Sequence, residues 1–132
     1  MKRLHVHAGV PNIDEAVRFY SALFGAEPAV VKHDYARWVL DEPALKFAVS
    51  KNTAVTGVSH LGLAADGEDE LDELYDRAEA ASGRKAENET VACCYAKSDK
   101  AWLMDPAGVP WEIFRTFGDA DQLQACPTEK VA

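Results

Sequence analysis

Three residues spread along the chain carry side chains suited to hold a divalent metal ion: His5, His60 and Glu112. Two imidazoles and one carboxylate on one face of an ion leave the opposite positions open. That facial arrangement suits non-haem Fe(II) and lets dioxygen and a substrate meet at one centre. Cys93 and Cys94 add two adjacent thiols, which as thiolates are soft ligands for a thiophilic metal or metalloid. On a regular strand, neighbouring side chains point to opposite faces, so two cysteines acting together require a loop or bulge there.

His7 competes with His5 for the first ligand position. Side chains alternate along a strand, so both project from the same face. His5 precedes Tyr20 by fifteen residues and His60 precedes Tyr75 by fifteen, which favours His5. The local likeness of His7-Ala8-Gly9-Val10 to His60-Leu61-Gly62-Leu63 favours His7. The long-range match is given more weight. His33, beside Asp34, reads as a surface residue. Glu112, between Trp111 and Ile113 on a strand-like segment, needs either solvent or a charged partner. Alone, such a glutamate faces water and a strand histidine is structural; the three together make a site. By repeat symmetry a fourth ligand would come from Leu45 to Val49, which holds no acid, histidine or glutamine. A three-ligand centre is therefore expected.

The elements that must position these residues are legible as two similar halves. Leu4 to Val10 reads as a strand, broken by Pro11 and Asn12. Asn12, with Glu15 three residues on, resembles a helix-capping pair. Ile13, Ala16, Val17, Tyr20, Leu23 and Phe24 recur at helical spacing, and Gly25 ends the helix. Strands are expected over 29–32, 35–40 and 45–49. The second half repeats this order: a strand over 58–64, then a helix marked by Leu71, Leu74, Tyr75 and Ala78 with Gly83 near its end. Strands follow around 84–89, 91–96 and 101–104, then the turn Asp105-Pro106-Ala107-Gly108 and a strand over 111–116. The chain is thus α+β, two βαβββ modules, with four candidate strands in the second half for the three places after its helix. Module one spans 1–52, module two 56–117, and a polar tail 118–132. Neither module alone is large enough for a good core, so 1–117 is expected to form one domain.

Composition narrows the function. The 132 residues are 48% hydrophobic and 27% charged, a globular balance. Net charge is −8 with lysines and arginines scattered, so nucleic acid and anionic membrane surfaces are poor partners. No apolar run nears the roughly 20 residues that cross a bilayer. Met1 to Val10 has Lys2 and Arg3 but no long apolar segment, so a cytoplasmic address is expected. Three cysteines, an odd number, argue against a disulfide framework.

Several stretches resemble the vicinal-oxygen-chelate superfamily of glyoxalases, bleomycin-resistance proteins and extradiol dioxygenases. They are His5, Val10-Pro11-Asn12-Ile13-Asp14-Glu15, Arg18-Phe19-Tyr20, His60-Leu61-Gly62-Leu63 and Asp105 through Glu112. The resemblance implies that the two modules form a metal-holding half-barrel. Within the superfamily the chain looks most like the carbon–arsenic lyases (ArsI) and the related cadmium-induced proteins (CadI). The specific matches are Asp34-Tyr35-Ala36, Pro43-Ala44-Leu45-Lys46, Thr90 through Ala96 and Asp99-Lys100-Ala101-Trp102. The lyases use Fe(II) and dioxygen to split the C–As bond of trivalent organoarsenicals. The resemblance implies that His5, His60 and Glu112 hold iron, with Ni, Zn or Co as other occupants, and that Cys93 and Cys94 bind arsenic. It also implies His5 rather than His7. His7 and Cys126 depart from the family pattern. A homodimer is expected. The alternatives are a protein that sequesters cadmium or arsenite without turnover, another enzyme of the superfamily, or a relative that binds no metal.

Overall fold

The first predicted helix begins and stops where its local chemistry dictates. In the computed structural model, which describes residues 1–51, 54–93 and 95–119, strand β1 (Arg3–Gly9) leads into helix α1 (Ile13–Phe24). Asn12 caps α1 by accepting a hydrogen bond from the Glu15 amide at 2.9 Å, which satisfies one of the helix's orphan donors. Gly25 closes it in the left-handed region at φ 64°. Strands β2 (Val30–Lys32), β3 (Tyr35–Asp41) and β4 (Ala44–Ser50) complete the first module.

The second module has β5 (Gly57–Ala65), α2 (Glu68–Ser82), β6 (Glu89–Cys93), β7 (Ala96–Met104) and β8 (Pro110–Asp119). All eight strands join one sheet in the order β2-β3-β4-β1-β5-β8-β7-β6, curled into a half-barrel. β1 and β5 pair antiparallel at its centre, and each is flanked by a parallel partner from its own module, β4 or β8. The duplication predicted from spacing is therefore a near-twofold relation about the β1–β5 pair. His5 pairs with Gly62 and His7 with His60, as a dyad carrying His5 onto His60 requires.

The helices cover the outer face of the sheet. Ile13 and Ala16 of α1 pack with Trp38, Phe47 and Val49, and Leu71, Leu74 and Ala78 of α2 pack with Ile113. Burying such side chains stabilises each layer by about 1.5–3 kcal/mol per large residue. Leu23, expected on the apolar face of α1, is instead 65% exposed. The inner, concave face carries alternate residues that are polar.

The strands of the second module differ from expectation. Residues 85–88 carry no strand, and β6 starts only at Glu89. The expected strand over 91–96 is divided, because β6 ends at Cys93 and β7 begins at Ala96. β7 reaches back through Lys97-Ser98-Asp99, a polar stretch. Its inward residues Ser98 and Lys100 are 3% exposed and line the concave face, so the usual polar-out, apolar-in alternation is reversed there.

Candidate metal centre

The concave face gathers side chains from four strands at one place. β1 supplies His5 and His7, β5 His60, β7 Lys100 and β8 Glu112. All five are buried, at 2–6% exposure. His5 Nε2 lies 3.4 Å from Glu112 Oε1, and His60 Nε2 lies 3.7 Å from the same oxygen. The other carboxylate oxygen, Oε2, accepts from Lys100 Nζ at 2.5 Å. One oxygen of Glu112 is thus held by an ammonium while the other faces two imidazoles.

Neighbouring groups decide which ring nitrogens are available. His5 Nδ1 is 3.0 Å from the Lys46 carbonyl. A carbonyl only accepts, so Nδ1 carries the proton and Nε2 keeps its lone pair. The Ser59 hydroxyl donates to the His7 carbonyl at 3.1 Å and lies 3.2 Å from His60 Nδ1. With its proton so used, Ser59 accepts from Nδ1–H, and His60 Nε2 is also left bare. That Nε2 is buried without a hydrogen-bond partner among the described residues, which costs about 1–3 kcal/mol unless something occupies it. Orienting a ligand histidine through its second nitrogen is the usual support of a metal site. The rings are also fixed by packing, His5 against Phe114 and His60 against Trp102, both at 4.9 Å between centroids.

The electrostatics favour donor forms. Burial pushes the His5 pKa down to about 4, against the opposing pull of Glu112. Burial, with His60 and His5 nearby, pushes His7 down to about 3. Both rings are neutral at pH 7. Burial by itself raises the Glu112 pKa, but the groups that lower it, the Lys100 ammonium first among them, outweigh burial and hold the carboxyl well below the usual range. Imidazole nitrogens and a carboxylate oxygen fit a divalent cation of the Fe(II), Zn or Ni kind.

The space among these groups is small. A cavity of about 30 Å³ is lined by His5, His7, Lys46, Lys100, Glu112 and Phe114, among others. One water needs roughly 10–15 Å³ by the same measure, so this cavity, whose wall does not include His60, has room for about two water-sized groups, and a larger substrate must occupy the open side. A larger cavity of about 170 Å³ lies apart, between α2 and the β6–β7 pair, with none of these side chains in its wall.

Gly62 shows how tightly the strands close on the site. A Cβ added there would lie 2.4 Å from the Glu112 carbonyl oxygen and 3.2 Å from His5 Cδ2. Only glycine allows β5 and β8 to bring His60 and Glu112 this near.

A model of the glyoxalase/bleomycin resistance protein/dioxygenase superfamily matches residues 2–113. The chain belongs to that superfamily. A trivalent organoarsenical cleaving enzyme of Bacillus sp. (strain MD1) is 40% identical over 119 residues, covering 88% of this chain and 74% of that protein. The cadmium-induced protein CadI of Mycobacterium bovis is 32% identical over 129 residues, covering 96% and 84%. Among solved structures, the Mn(II)-bound glyoxalase of Novosphingobium aromaticivorans superposes with a TM-score of 0.58 at 20% identity. It covers 94% of this chain and 44% of that one, a likeness of fold.

For this superfamily member, the sequence-predicted residues fall as follows. His5, His60 and Glu112 come together. Cys93 ends β6 opposite Ala96, and its side chain, together with Cys94 and Cys126, lies outside the described residues. Tyr95 follows with a left-handed φ of 59°, its hydroxyl donating to Asp34 Oδ1 at 2.6 Å. Lys46 was not anticipated. It pairs in register with His5, donates to Thr116 at 3.0 Å, and burial lowers its pKa to about 8, with Arg37 adding to the effect. A lysine in the middle of the apolar strand Leu45 to Val49 was the available signal. No helix among the described residues is long and apolar enough to cross a membrane.

Proposed function

We propose that this protein is an Fe(II)-dependent, dioxygen-using carbon–arsenic lyase that releases arsenite from trivalent organoarsenicals. The observation that carries the proposal is the convergence of bare His5 and His60 Nε2 atoms on Glu112 Oε1, in a chain 40% identical to a protein named as cleaving such compounds. His5, His60 and Glu112 would hold the metal, and bound Fe(II) would supply the activation of dioxygen. Lys46 and Ser59 set the ring tautomers through Nδ1. Lys100 keeps Glu112 ionised and leaves one carboxylate oxygen for the ion. Phe114 and Trp102 hold the rings in place, so little reorganisation is needed when the site fills.

Cys93 and Cys94 would capture the substrate. Each thiol displaces one hydroxyl from trivalent arsenic as water, forming two S–As bonds. β6 ends at Cys93; joint capture requires that the two cysteines not lie on one continuous strand, where neighbouring side chains point to opposite faces. Holding arsenic in this way turns a bimolecular encounter into an oriented one.

A second reading has its own support in the 32% identity to a cadmium-induced protein: sequestration of a soft metal ion without turnover. Anaerobic loading with Fe(II), addition of methylarsenite and air, and quantification of arsenite separate the two. Catalytic arsenite release that disappears in Cys93→Ser and Cys94→Ser supports the lyase. No release, with tight Cd(II) or arsenite binding, selects sequestration.

A further inference from the structure

We propose that His7 is a fourth metal ligand, giving this chain a centre of three imidazoles and one carboxylate. The inference rests on the metal-site reading above and adds to it a donor that the three-ligand expectation omits.

The near-twofold relation of the modules carries the argument. The dyad that maps His5 onto His60 maps His7 onto Gly62. In module two, Gly62 lies beside Glu112 in the parallel β5–β8 register. In module one, His7 lies beside Ala48 in the parallel β1–β4 register. Ala48 is therefore the counterpart of Glu112, and the first module has a methyl group where the second has its carboxylate. Each module fills the paired positions with one bare residue and one donor, on opposite strands: glycine beside glutamate, histidine beside alanine.

Steric limits explain the exchange. At position 62 even one added carbon would meet the β8 backbone at 2.4 Å. At position 7 an entire imidazole is accommodated at 6% exposure, beside the small side chain of Ala48. The ring is aimed at the site. One ring nitrogen from each of His5, His7 and His60 lies within 4.8 Å of the other two. Donors on one ion at metal–nitrogen distances of about 2.0–2.1 Å stand roughly 3–4 Å apart, so closing on an ion needs a shift of about 1 Å. The His7 and His60 ring centroids are 4.9 Å apart, and Ser50 Oγ, at 2.7 Å from His7 Nε2, fixes the ring's orientation.

A fourth protein donor would hold the ion more tightly and leave two positions of an octahedral ion open in place of three. It would also bias the site toward metals that imidazole suits, such as Zn, Cu, Fe and Ni, and away from those that prefer oxygen donors.

The test uses Cu(II) and Zn(II) alone as probes. Pulsed electron paramagnetic resonance of the Cu(II)-loaded chain counts coordinated imidazoles, and chelator competition gives the Zn(II) dissociation constant. The proteins are the parent, His7→Ala, His7→Phe (which keeps the ring volume without a donor) and His60→Ala. We expect three imidazoles in the parent and two in each His7 variant. Zn(II) binding should weaken at least about 10–100-fold, the loss seen when even a supporting residue of a metal site is removed. Two imidazoles in the parent and unchanged affinity in His7→Phe would overturn the proposal while leaving the three-ligand site intact. An unchanged imidazole count in His60→Ala would overturn the underlying metal-site reading itself.

Discussion

Replacing Lys100 by Met removes a buried ammonium while keeping most of its volume, which isolates the role of charge. Lys100 and Glu112 are 3% and 2% exposed and form an ion pair at 2.5 Å. Removing one partner of such a pair leaves the other charge buried and uncompensated, at a cost of about 3–5 kcal/mol. For a domain of this size each kcal/mol moves the melting temperature by roughly 2–8 °C, so the metal-free variant should melt on the order of 10–20 °C below the parent. Glu112 would then take up a proton more readily, since Lys100 is the first of the groups that hold its pKa down. A divalent ion is an alternative counter-charge for the same carboxylate, so saturating Zn(II) should narrow the gap between the two proteins. Thermal melts followed by circular dichroism, with chelator and with Zn(II), measure both effects. A metal-free loss below about 1 kcal/mol, or a gap that Zn(II) leaves unchanged, would refute the view that Lys100 stands in for cationic charge at Glu112.

Three further outcomes are expected. Gly62→Ala should destabilise the fold by about 1–3 kcal/mol and weaken Zn(II) binding, because the new Cβ forces β5 away from Glu112; retained affinity in a titration would contradict this. Lowering the pH from 7 to 5 should reduce the urea-derived stability of the metal-free chain by about 2–4 kcal/mol. His5 and His7 titrate near 4 and 3 when folded and near 6.5 when unfolded. Between those values the unfolded chain binds more protons, so stability falls as pH falls; equal denaturation midpoints at pH 7 and 5 would count against it. Tyr95→Phe removes the hydroxyl that donates to Asp34, a bond to a charged group expected to contribute about 1.5–3 kcal/mol, and a variant as stable as the parent in urea would show that this tie between the modules is slack.

The two helices and the duplication were legible because their signals are local or periodic. Asn12 and Gly25 bound α1 as the capping pattern predicts, and the equal spacing from His5 to Tyr20 and from His60 to Tyr75 reflects the dyad seen in the β1–β5 register. The strand over 96–104 was obscured because Ser98 and Lys100 face a polar interior, so the hydrophobic alternation that marks strands is missing from its first half. The boundary at Glu89 was missed for a related reason: 84–88 is charged on both faces and has no sheet partner that propensity alone could reveal. At the site, residue types identified the converging His5, His60 and Glu112. The parts contributed by pairing between distant strands were not visible. These include Lys46 beneath His5, Ser59 between His7 and His60, and Ala48 opposite His7. Register is a tertiary property, set by which faces are buried.

The proposed function makes His5, His60 and Glu112 jointly necessary for oxygen-dependent cleavage of a carbon–arsenic bond. Its most direct test is to titrate Fe(II) into the anaerobic metal-free protein, admit methylarsenite and dioxygen, and measure arsenite formed per protein chain. Arsenite in many-fold excess over protein, saturating at one Fe(II) per chain and absent in Glu112→Gln and His60→Ala, is the predicted result. Equal arsenite yields from the parent and both variants, or none from the parent while one Fe(II) remains bound, would contradict the account.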